Sequence, residues 1–265
     1  MSSHSVRLAI IGGTGVYDPR ILSDIRTEEV LTPYGDVTMK VGTYAGQEVA
    51  FLPRHGAKHS VPPHLINYRA NIWALRALGV QRVIATTAVG SLNPDMKPGD
   101  FVLADQFLDF TKGRASTFFD GGEAGVVHTD FTEPYCPELR GILREAAGEL
   151  GITAHNGGTY VCTEGPRFES AAEIRMFAKL GGDLVGMTNV PEVVLAREAG
   201  LCYSTISMVT NFGAGISKTA LTHEEVLEVM AENSEKLKSL IMKALTRIPE
   251  ARGCACGRQA GALKV

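Results

Sequence analysis

Short apolar runs rich in β-branched residues alternate along the chain with longer stretches in which apolar residues recur at helical spacing. The short runs predict strands, and the helical spacing predicts helices. The predicted strands are Leu8–Ile11, Val83–Gly90, Gly158–Cys162, Leu184–Val185 and Cys202–Met208, and the predicted helices are Asn67–Leu78, Pro137–Leu150, Ser170–Leu180, Pro191–Ala199 and Thr222–Leu245. Strands and helices that alternate in this way indicate an α/β layered fold around a central sheet.

Turn and capping residues refine this pattern. Val37–Val41 and Glu48–Leu52 flank Tyr44-Ala45-Gly46, which predicts a β-hairpin and therefore a mixed rather than a purely parallel sheet. Thr222 and Glu225 form a candidate capping box at the start of the last helix. Because no linker or repeat interrupts the pattern, we predict a single domain over residues 1–251, flanked by a loose tail over residues 252–265.

Composition narrows the class of function. The 265 residues carry a net charge of −3, with 45% hydrophobic and 21% charged residues, which is ordinary for a globular chain. No basic excess indicates a nucleic-acid partner, and no apolar run approaches the roughly 20 residues of a membrane-spanning helix. The N-terminal residues lack the apolar core of a signal peptide. We therefore expect a cytoplasmic enzyme.

The five cysteines fall into two groups. Cys136, Cys162 and Cys202 stand apart among apolar neighbours and are expected to be buried free thiols. Cys254 and Cys256 form a C-x-C pair in the tail. Zinc would need two further ligands, and the sequence has no second closely spaced Cys/His pair, so a metal site is disfavoured. Two alternatives stay open for this pair. It forms either two exposed thiols or a disulfide, and a disulfide is typical of an oxidising or hyperthermophilic setting.

Residues that suit a bound phosphate follow four of the predicted strands. Ligands of open α/β sheets sit beyond the carboxyl ends of the strands, so these residues are expected to face one site. Small residues let backbone N–H groups approach an anion, a guanidinium presents a planar fork, and a position before a helix favours negative charge. The candidate segments are Gly12-Gly13-Thr14-Gly15, Arg54-His55, Thr86-Thr87-Ala88-Val89-Gly90 and Met187-Thr188.

Each of these segments also has an ordinary structural explanation. The glycine-rich run suits a simple tight turn, and the basic residues around Arg54 suit a solvated loop. A dinucleotide site is a weaker interpretation, because Asp18 stands where the third small residue of a G-x-G-x-x-G pattern belongs. The coincidence of phosphate donors at four strand ends favours a phosphate site.

Two further segments predict a pocket for a planar base. Phe168 offers an aromatic face next to the carboxylate of Glu169, and Asn211 places an amide at the end of another strand, before Phe212 and Gly213. Glu169 is equally suited to the first turn of the following helix, where acids are favoured.

Taken in order, the segments GGTG, RHG, NYRANIWAL, TTAVGSL, TEGPRFE, GMTNVPE and TNF resemble the trimeric nucleoside phosphorylases. The nearest members are the methylthioadenosine phosphorylases and their purine nucleoside phosphorylase relatives, and the resemblance covers Leu8 to Leu245. It implies a homotrimer or a dimer of trimers, with active sites near subunit interfaces. It also implies phosphorolysis to a free base and α-ribose 1-phosphate, with inorganic phosphate as co-substrate and no metal or organic cofactor.

The resemblance assigns roles to individual residues. The phosphate ligands it implies are Thr14, Arg54, His55, Thr87, Ala88 and Thr188, and the nucleoside-binding residues it implies are Phe168, Glu169, Met187, Asn211, Phe212, Gly213 and His223. Asn211, Glu169 and His55 are the candidate catalytic residues, because a donor near N7 and O6 stabilises the charge that the departing purine gains.

Departures from the methylthioadenosine branch indicate a 6-oxopurine. That branch carries an Asp-x-Asp arrangement where this chain has Asn211-Phe212-Gly213, and an amide can donate to N7 or O6. An ionised Glu169 accepts the N1 proton of hypoxanthine or guanine, whereas adenine N1 is itself an acceptor. His223 stands where the methylthio branch has an aliphatic residue, and is expected at the ribose 5′-hydroxyl unless it is an exposed helix-start residue.

Three rival functions stay open. A methylthioinosine phosphorylase, or a methylthioadenosine phosphorylase, would share most of the site. A non-catalytic nucleoside-binding protein would share the fold, because a fold does not determine a function. The interpretation as a nicotinamide oxidoreductase is supported by the glycine-rich turn alone.

Overall fold

A computed structural model of the chain describes residues 6–13, 21–56, 60–122, 125–217, 222–258 and 263, without the side chains of residues 223 and 225. The strands in these ranges are β1 Leu8–Gly12, β2 Ser23–Val30, β3 Val37–Tyr44, β4 Gln47–Pro53, β5 Arg82–Ser91, β6 Phe101–Leu103, β7 Gln106–Phe110, β8 Ala154–Asn156, β9 Thr159–Thr163, β10 Leu184–Gly186 and β11 Cys202–Phe212. The α-helices are α1 Tyr68–Ala77, α2 Pro137–Glu149, α3 Ala171–Lys179, α4 Asn189–Glu198 and α5 His223–Leu245.

The strands form one mixed sheet, which confirms the predicted fold class. Its order is β2-β3-β4-β1-β5-β10-β9-β7, and β11 pairs with both β5 and β6. Strand β1 is parallel to β4 and β5, whereas the hairpin strands β3 and β4 and the pair β5 and β10 are antiparallel. Strand β5 therefore lies at the centre of the sheet, where it contacts β1, β10 and β11.

Alternate residues of the central strands face two separate apolar layers. In β1, Ala9 and Ile11 pack in a core that includes α1 and α4 residues, whereas Leu8 and Ile10 pack in a core that includes α2 and α5 residues. This is the period-two alternation of a sheet that is buried on both faces. Two layers of helices thus hold the ends of the central strands in fixed positions.

Local sequence signals account for several helix boundaries. The side chain of Asn67 accepts a hydrogen bond from the N–H of Ala70 at the start of α1, and Gly79 takes a φ of +89° after its end. Ser170 and Glu173 form a reciprocal capping box at the start of α3. The predicted box of Thr222 and Glu225 stays a prediction, because the side chain of Glu225 lies outside the described residues.

Strands β2, β6, β7 and β8 are not predicted by the sequence pattern. Strand β2 is exposed over most of its length, and β6 and β8 have three residues each. Such strands carry too few buried apolar residues to show a period.

Part of the predicted C-terminal tail makes hydrogen bonds to the rest of the chain. Over residues 252–258, an Arg252 Nη1 atom donates to the carbonyl of Gly200 (2.9 Å), and the N–H of Gly253 donates to the carboxylate of Glu138 (3.0 Å). Cys256 is buried in the core beside α2 and α5, so the expectation of an exposed thiol there is wrong. The fold brings this segment against elements that are distant in sequence.

Two further cysteines lie beside the C-x-C pair, although the sequence has no second closely spaced Cys/His pair. Cys136 precedes α2 and Cys202 begins β11, and their sulfur atoms lie with those of Cys254 and Cys256 within 4.8 Å of one another. Cys136, Cys162 and Cys202 are buried, as expected. Spacing along the chain cannot reveal the cluster, because its members are joined only by the tertiary fold.

Among the described residues, no helix combines the length and apolar character needed to cross a membrane.

Candidate active site

A cavity of about 350 Å³ opens at the ends of the central strands. Strands β4, β5, β10 and β11 and the residues that follow them supply most of its walls. A loop over residues 60–63, a loop over residues 166–169 and one residue of α5 complete it. Its lining residues are Arg54, His55, Ser60, Val61, Pro62, Pro63, Thr87, Ala88, Val89, Gly90, Pro166, Phe168, Glu169, Val185, Gly186, Met187, Thr188, Thr210, Asn211, Gly213, Ala214 and Val226.

Arg54 enters one end of this cavity from a fully buried position. Its Nε and Nη2 atoms donate to the two carboxylate oxygens of Glu192 (2.6 and 2.7 Å), and Nη1 donates to the carbonyl of Thr86 (2.7 Å). A guanidinium has five N–H donors, so two donors are left for a ligand. Burial disfavours the charged form, but the Glu192 carboxylate outweighs this effect and raises the pKa of Arg54. Arg54 is therefore a fixed cation.

A hydrogen bond from a tyrosine hydroxyl also holds the Glu192 carboxylate in place. The hydroxyl of Tyr203 on β11 donates to Glu192 Oε1 (2.7 Å), and neither the Arg54 nor the Glu192 side chain is more than 1% exposed. Helix α4 thus positions the Arg54 guanidinium through the carboxylate of Glu192. The sequence gives little sign of this role, because a glutamate on a helix is seldom fully buried.

His55 lies beside Arg54 with one ring nitrogen already engaged. Its Nδ1 atom is 2.8 Å from the carbonyl oxygen of Val61, and a carbonyl only accepts, so Nδ1 carries the proton. In the neutral ring the Nε2 atom is consequently an acceptor, and it becomes a donor when the ring is protonated. His55 can therefore accept a proton from an anion such as dihydrogen phosphate or, as a cation, donate to it.

Thr87, Ala88 and Thr188 line the same cavity from β5 and from the start of α4. Thr87 is buried and its hydroxyl donates to Ser207 (3.0 Å). Thr188 precedes α4, and its side chain makes no capping bond. The φ and ψ angles of Val190 are not helical. The regular part of α4 therefore begins after Val190 and not directly after Thr188. The predicted position before a helix is thus only approximately realised.

Gly13, directly after β1, packs against β5. The N–H of Gly13 donates to the hydroxyl of Thr86 (2.9 Å), and a Cβ at Gly13 would lie 2.3 Å from the Thr86 carbonyl oxygen and 2.8 Å from Arg54 Nη1. Only glycine fits between these groups. Thr14, the next residue and a predicted phosphate ligand, lies outside the described residues.

Glu169 also lines the cavity, where it is half-buried. Its carboxylate accepts a hydrogen bond from the hydroxyl of Thr163 (2.6 Å). Burial raises the pKa of Glu169, while the Thr163 hydrogen bond opposes this shift. Phe168 lines the cavity beside Glu169, and its side chain is 41% exposed in the single chain.

Asn211 is aimed into the cavity by a β-bulge. The pairing of β11 with β5 shifts between Val209 and Asn211, which leaves Thr210 as the extra residue. Opposite Asn211 stands Gly90, where a Cβ would lie 3.2 Å from Asn211 Nδ2. The bulge and the glycine together make room for the amide.

Neighbouring groups fix which way the Asn211 amide points. One side of the amide lies 2.8 Å from the Phe212 carbonyl oxygen, which only accepts, so this side is the Nδ2 group. The Thr210 hydroxyl donates to Oδ1 on the other side (2.8 Å). Nδ2 retains a second N–H bond, which is a donor available to a ligand.

The predicted site residues with described side chains converge on this cavity, with one exception. Phe212 supplies a carbonyl to Asn211 but lies outside the lining, whereas Met187 and Gly213 contribute to it. The side chain of His223 lies outside the described residues. Val226, which is one turn further along α5, lines the cavity with an apolar side chain.

Residues 7–246 match the family model described as the phosphorylase superfamily. A probable 6-oxopurine nucleoside phosphorylase of Moorella thermoacetica is 65% identical over 98% of this chain and 100% of its own length. An S-methyl-5′-thioadenosine phosphorylase of Thermofilum pendens is 51% identical over 96% of each chain.

Among solved structures, the chain is similar to methylthioadenosine phosphorylase from Schistosoma mansoni in complex with adenine. The two share 36% identity and a TM-score of 0.89 over 93% of each chain.

Proposed function

The chain belongs to the phosphorylase superfamily, and we propose that it catalyses the phosphorolysis of 6-oxopurine nucleosides such as inosine and guanosine. In this reaction a phosphate oxygen bonds to C1′ of the ribose, while the C1′–N9 bond breaks and its electron pair leaves with the purine. The products are the free base and α-ribose 1-phosphate.

One observation carries the proposal. A fixed cation, Arg54, and a pair of polar groups suited to a base, Glu169 and Asn211, line the same cavity of about 350 Å³. A phosphate and a purine nucleoside must both be held for phosphorolysis, and this cavity offers groups for each. The comparison with the Moorella thermoacetica relative supports the same substrate class.

The phosphate end is supported by charge and by donor geometry. Arg54 keeps two N–H donors toward a ligand while Glu192 and Thr86 hold its plane. Thr87, Ala88 and Thr188 surround the same space, and His55 either donates as a cation or accepts a proton from the anion. The bound phosphate stabilises the positive charge that develops on the ribosyl group as the glycosidic bond breaks.

The base end is supported by the pattern of donors and acceptors. The remaining N–H of Asn211 is suited to N7 or O6 of the purine, where negative charge develops as the base departs. A donor of this kind lowers the barrier by about 3 to 4 kcal/mol. An ionised Glu169 accepts the N1 proton of a 6-oxopurine, whereas adenine presents an acceptor at N1. Mispaired buried polar groups discriminate by about 10⁴-fold.

The reaction needs no metal or organic cofactor in this proposal, since phosphate is the nucleophile and the site supplies charge and hydrogen bonds. We also propose a cytoplasmic homotrimer or dimer of trimers. The 41% exposure of Phe168 in a base pocket supports a neighbouring subunit that covers it. A monodisperse monomer of 28.4 kDa in light scattering at assay concentration would contradict the oligomer.

Product analysis tests the reaction class. With inosine and phosphate, the purified protein is expected to form hypoxanthine and ribose 1-phosphate in equal amounts, and to form neither without phosphate. Free ribose formed without phosphate would indicate a hydrolase. Nucleoside binding without any product would indicate a non-catalytic binding protein, and reduction of a nicotinamide would indicate an oxidoreductase.

A 5′-methylthio nucleoside is the second candidate substrate. The apolar Val226 in the cavity and the 51% identical S-methyl-5′-thioadenosine phosphorylase favour it. A histidine at position 223 favours a ribose 5′-hydroxyl instead, because an imidazole facing a thioether loses a hydrogen bond at a cost of about 1 to 3 kcal/mol.

The ratio of kcat/KM for inosine to that for methylthioinosine separates the two candidates. We expect inosine to be favoured by roughly five- to 150-fold, and His223→Val to lower the ratio. A wild-type preference for methylthioinosine would establish the second candidate, and an unmoved ratio in the variant would place His223 outside the ribose site.

A further inference from the structure

Four cysteine sulfurs from three separate parts of the chain meet beside α2 and β11. Cys136 lies at the start of α2, Cys202 begins β11, and Cys254 and Cys256 belong to the C-terminal segment. All four sulfur atoms lie within 4.8 Å of one another, and Cys202 Sγ is 3.3 Å from Cys254 Sγ. None of the four residues lines the cavity described above.

From this arrangement we propose that Cys136, Cys202, Cys254 and Cys256 bind one zinc ion as a structural tetrathiolate site. Zinc binds thiolates at about 2.3 Å in tetrahedral geometry, which places the four sulfurs of such a site roughly 3.8 Å apart. The observed sulfur atoms lie within 4.8 Å of one another, with one pair at 3.3 Å, and these distances bracket that spacing. Four sulfur ligands without an open position are typical of a structural rather than a catalytic zinc.

The backbone around the cluster is held by specific hydrogen bonds. The N–H of Cys136 donates to the carbonyl of Tyr203 (2.8 Å), which sets Cys136 beside the start of β11. The C-terminal segment is bonded to Gly200 by Arg252 and to Glu138 by the N–H of Gly253. The four ligands are thus positioned by the fold rather than by their spacing in sequence.

The surroundings also suit the charge of a zinc tetrathiolate, which is −2 overall. Arg197 Nη1 lies 3.7 Å from Cys256 Sγ, and the Arg197 side chain is buried. Cys136 stands at the N-terminus of α2, where the helix dipole stabilises negative charge. Cys254 is half-buried, which gives an ion a path to the otherwise enclosed sulfurs.

A zinc ion at this site would join the C-terminal segment to both helix α2 and strand β11. Because the site forms only in the folded chain, the free energy of zinc binding adds to the free energy of unfolding. The cluster lies away from the cavity, so the ion would stabilise the protein without taking part in the reaction.

Metal analysis of protein produced with supplementary zinc tests the proposal. We expect about one zinc ion per chain, and all five cysteines to react as free thiols in denaturant with chelator. Cobalt exchanged into the site is expected to give the sulfur-to-metal charge-transfer and visible bands of a tetrahedral thiolate complex. Cys254→Ser with Cys256→Ser should reduce bound zinc at least about tenfold and lower Tm.

Cys162→Ser is the matched control, because Cys162 is a buried free thiol outside the cluster. It should leave the zinc content and the cobalt spectrum unchanged. Disulfides among the four cysteines, detected as a mass increase on reduction, would overturn the proposal. Five free thiols without zinc, or iron in place of zinc, would overturn it as well.

Discussion

Arg54 and Glu192 form a two-point salt bridge in the interior, with Nε to Oε2 at 2.6 Å and Nη2 to Oε1 at 2.7 Å. The pair connects the end of β4 with α4, and Arg54 lines the cavity. A buried ion pair of this kind contributes little net stability, but removing one partner leaves an uncompensated charge. In the proposed reaction, the pair orients the Arg54 cation toward the phosphate.

Glu192→Gln should accordingly impair both folding and phosphate use. The loss of the carboxylate leaves the Arg54 cation buried without a counter-charge, at a cost of about 3 to 5 kcal/mol in the free energy of unfolding. Arg54→Ala should raise the KM for phosphate and lower kcat/KM much more than it weakens nucleoside binding.

Denaturant unfolding and steady-state kinetics with varied phosphate measure these effects. Arg26→Ala is the matched control, since Arg26 also pairs with two carboxylates but is half-exposed on β2, and exposed pairs contribute at most about 1 kcal/mol. If Arg54→Ala keeps the wild-type phosphate kinetics, Arg54 has no role in phosphate binding.

Changing the hydrogen-bonding groups of Asn211 and Glu169 should change which nucleoside the enzyme prefers. In Asn211→Asp with Glu169→Ser, a carboxylate replaces the amide donor and the acceptor for the N1 proton is removed. We expect activity with inosine to fall and adenosine or methylthioadenosine to be admitted. Each single variant serves as a control, measured as kcat/KM with all three nucleosides. A double variant that retains its full preference for inosine shows that the pocket has been assigned to the wrong residues.

Activity with inosine should fall at acidic pH because of Glu169. Burial raises the pKa of this carboxyl, so it becomes protonated at a higher pH than an ordinary glutamate, and a protonated carboxyl no longer accepts well from N1. The profile of kcat/KM against pH should therefore decline as the pH falls through that raised pKa. Glu169→Gln should lose this limb together with much of the activity. An unchanged limb in the variant would assign it to another group, such as His55.

Gly186 lines the cavity at a position that has no room for a side chain. A Cβ there would lie 2.0 Å from the Tyr160 hydroxyl oxygen, so Gly186→Ala should overpack the floor of the cavity and cost about 1 to 3 kcal/mol of stability. Gly148→Ala is the matched control, because Gly148 is an exposed position of α2 with open space around it. Alanine in a helix is preferred by about 1 kcal/mol, so this variant should gain stability. Thermal unfolding should show opposite changes in Tm.

The sequence predicts the main architecture well because buried strands and capped helices carry strong local patterns. The hairpin around Ala45-Gly46 depends on a few neighbouring residues and is found where it is predicted. The candidate phosphate and base residues also converge, because the topology brings strand ends to one side of the sheet.

Features that depend on tertiary contacts are not predictable in this way. Strand Cys202–Met208 extends to Phe212 through a bulge at Thr210, and the bulge aims Asn211 into the cavity. Nothing in the local pattern marks Thr210 as an extra residue. Burial of Glu192 and the meeting of four cysteines likewise depend on elements that are distant along the chain.

We propose that Glu169 and Asn211 select a 6-oxopurine for phosphorolysis. A comparison of kcat/KM for inosine with kcat/KM for adenosine tests this claim. Both nucleosides are assayed with one enzyme preparation at saturating phosphate, and kcat/KM is taken from the release of hypoxanthine and adenine. We predict that inosine is preferred by about 10⁴-fold and that neither base is released when phosphate is withheld. Equal use of the two nucleosides, or a preference for adenosine, would contradict the claim.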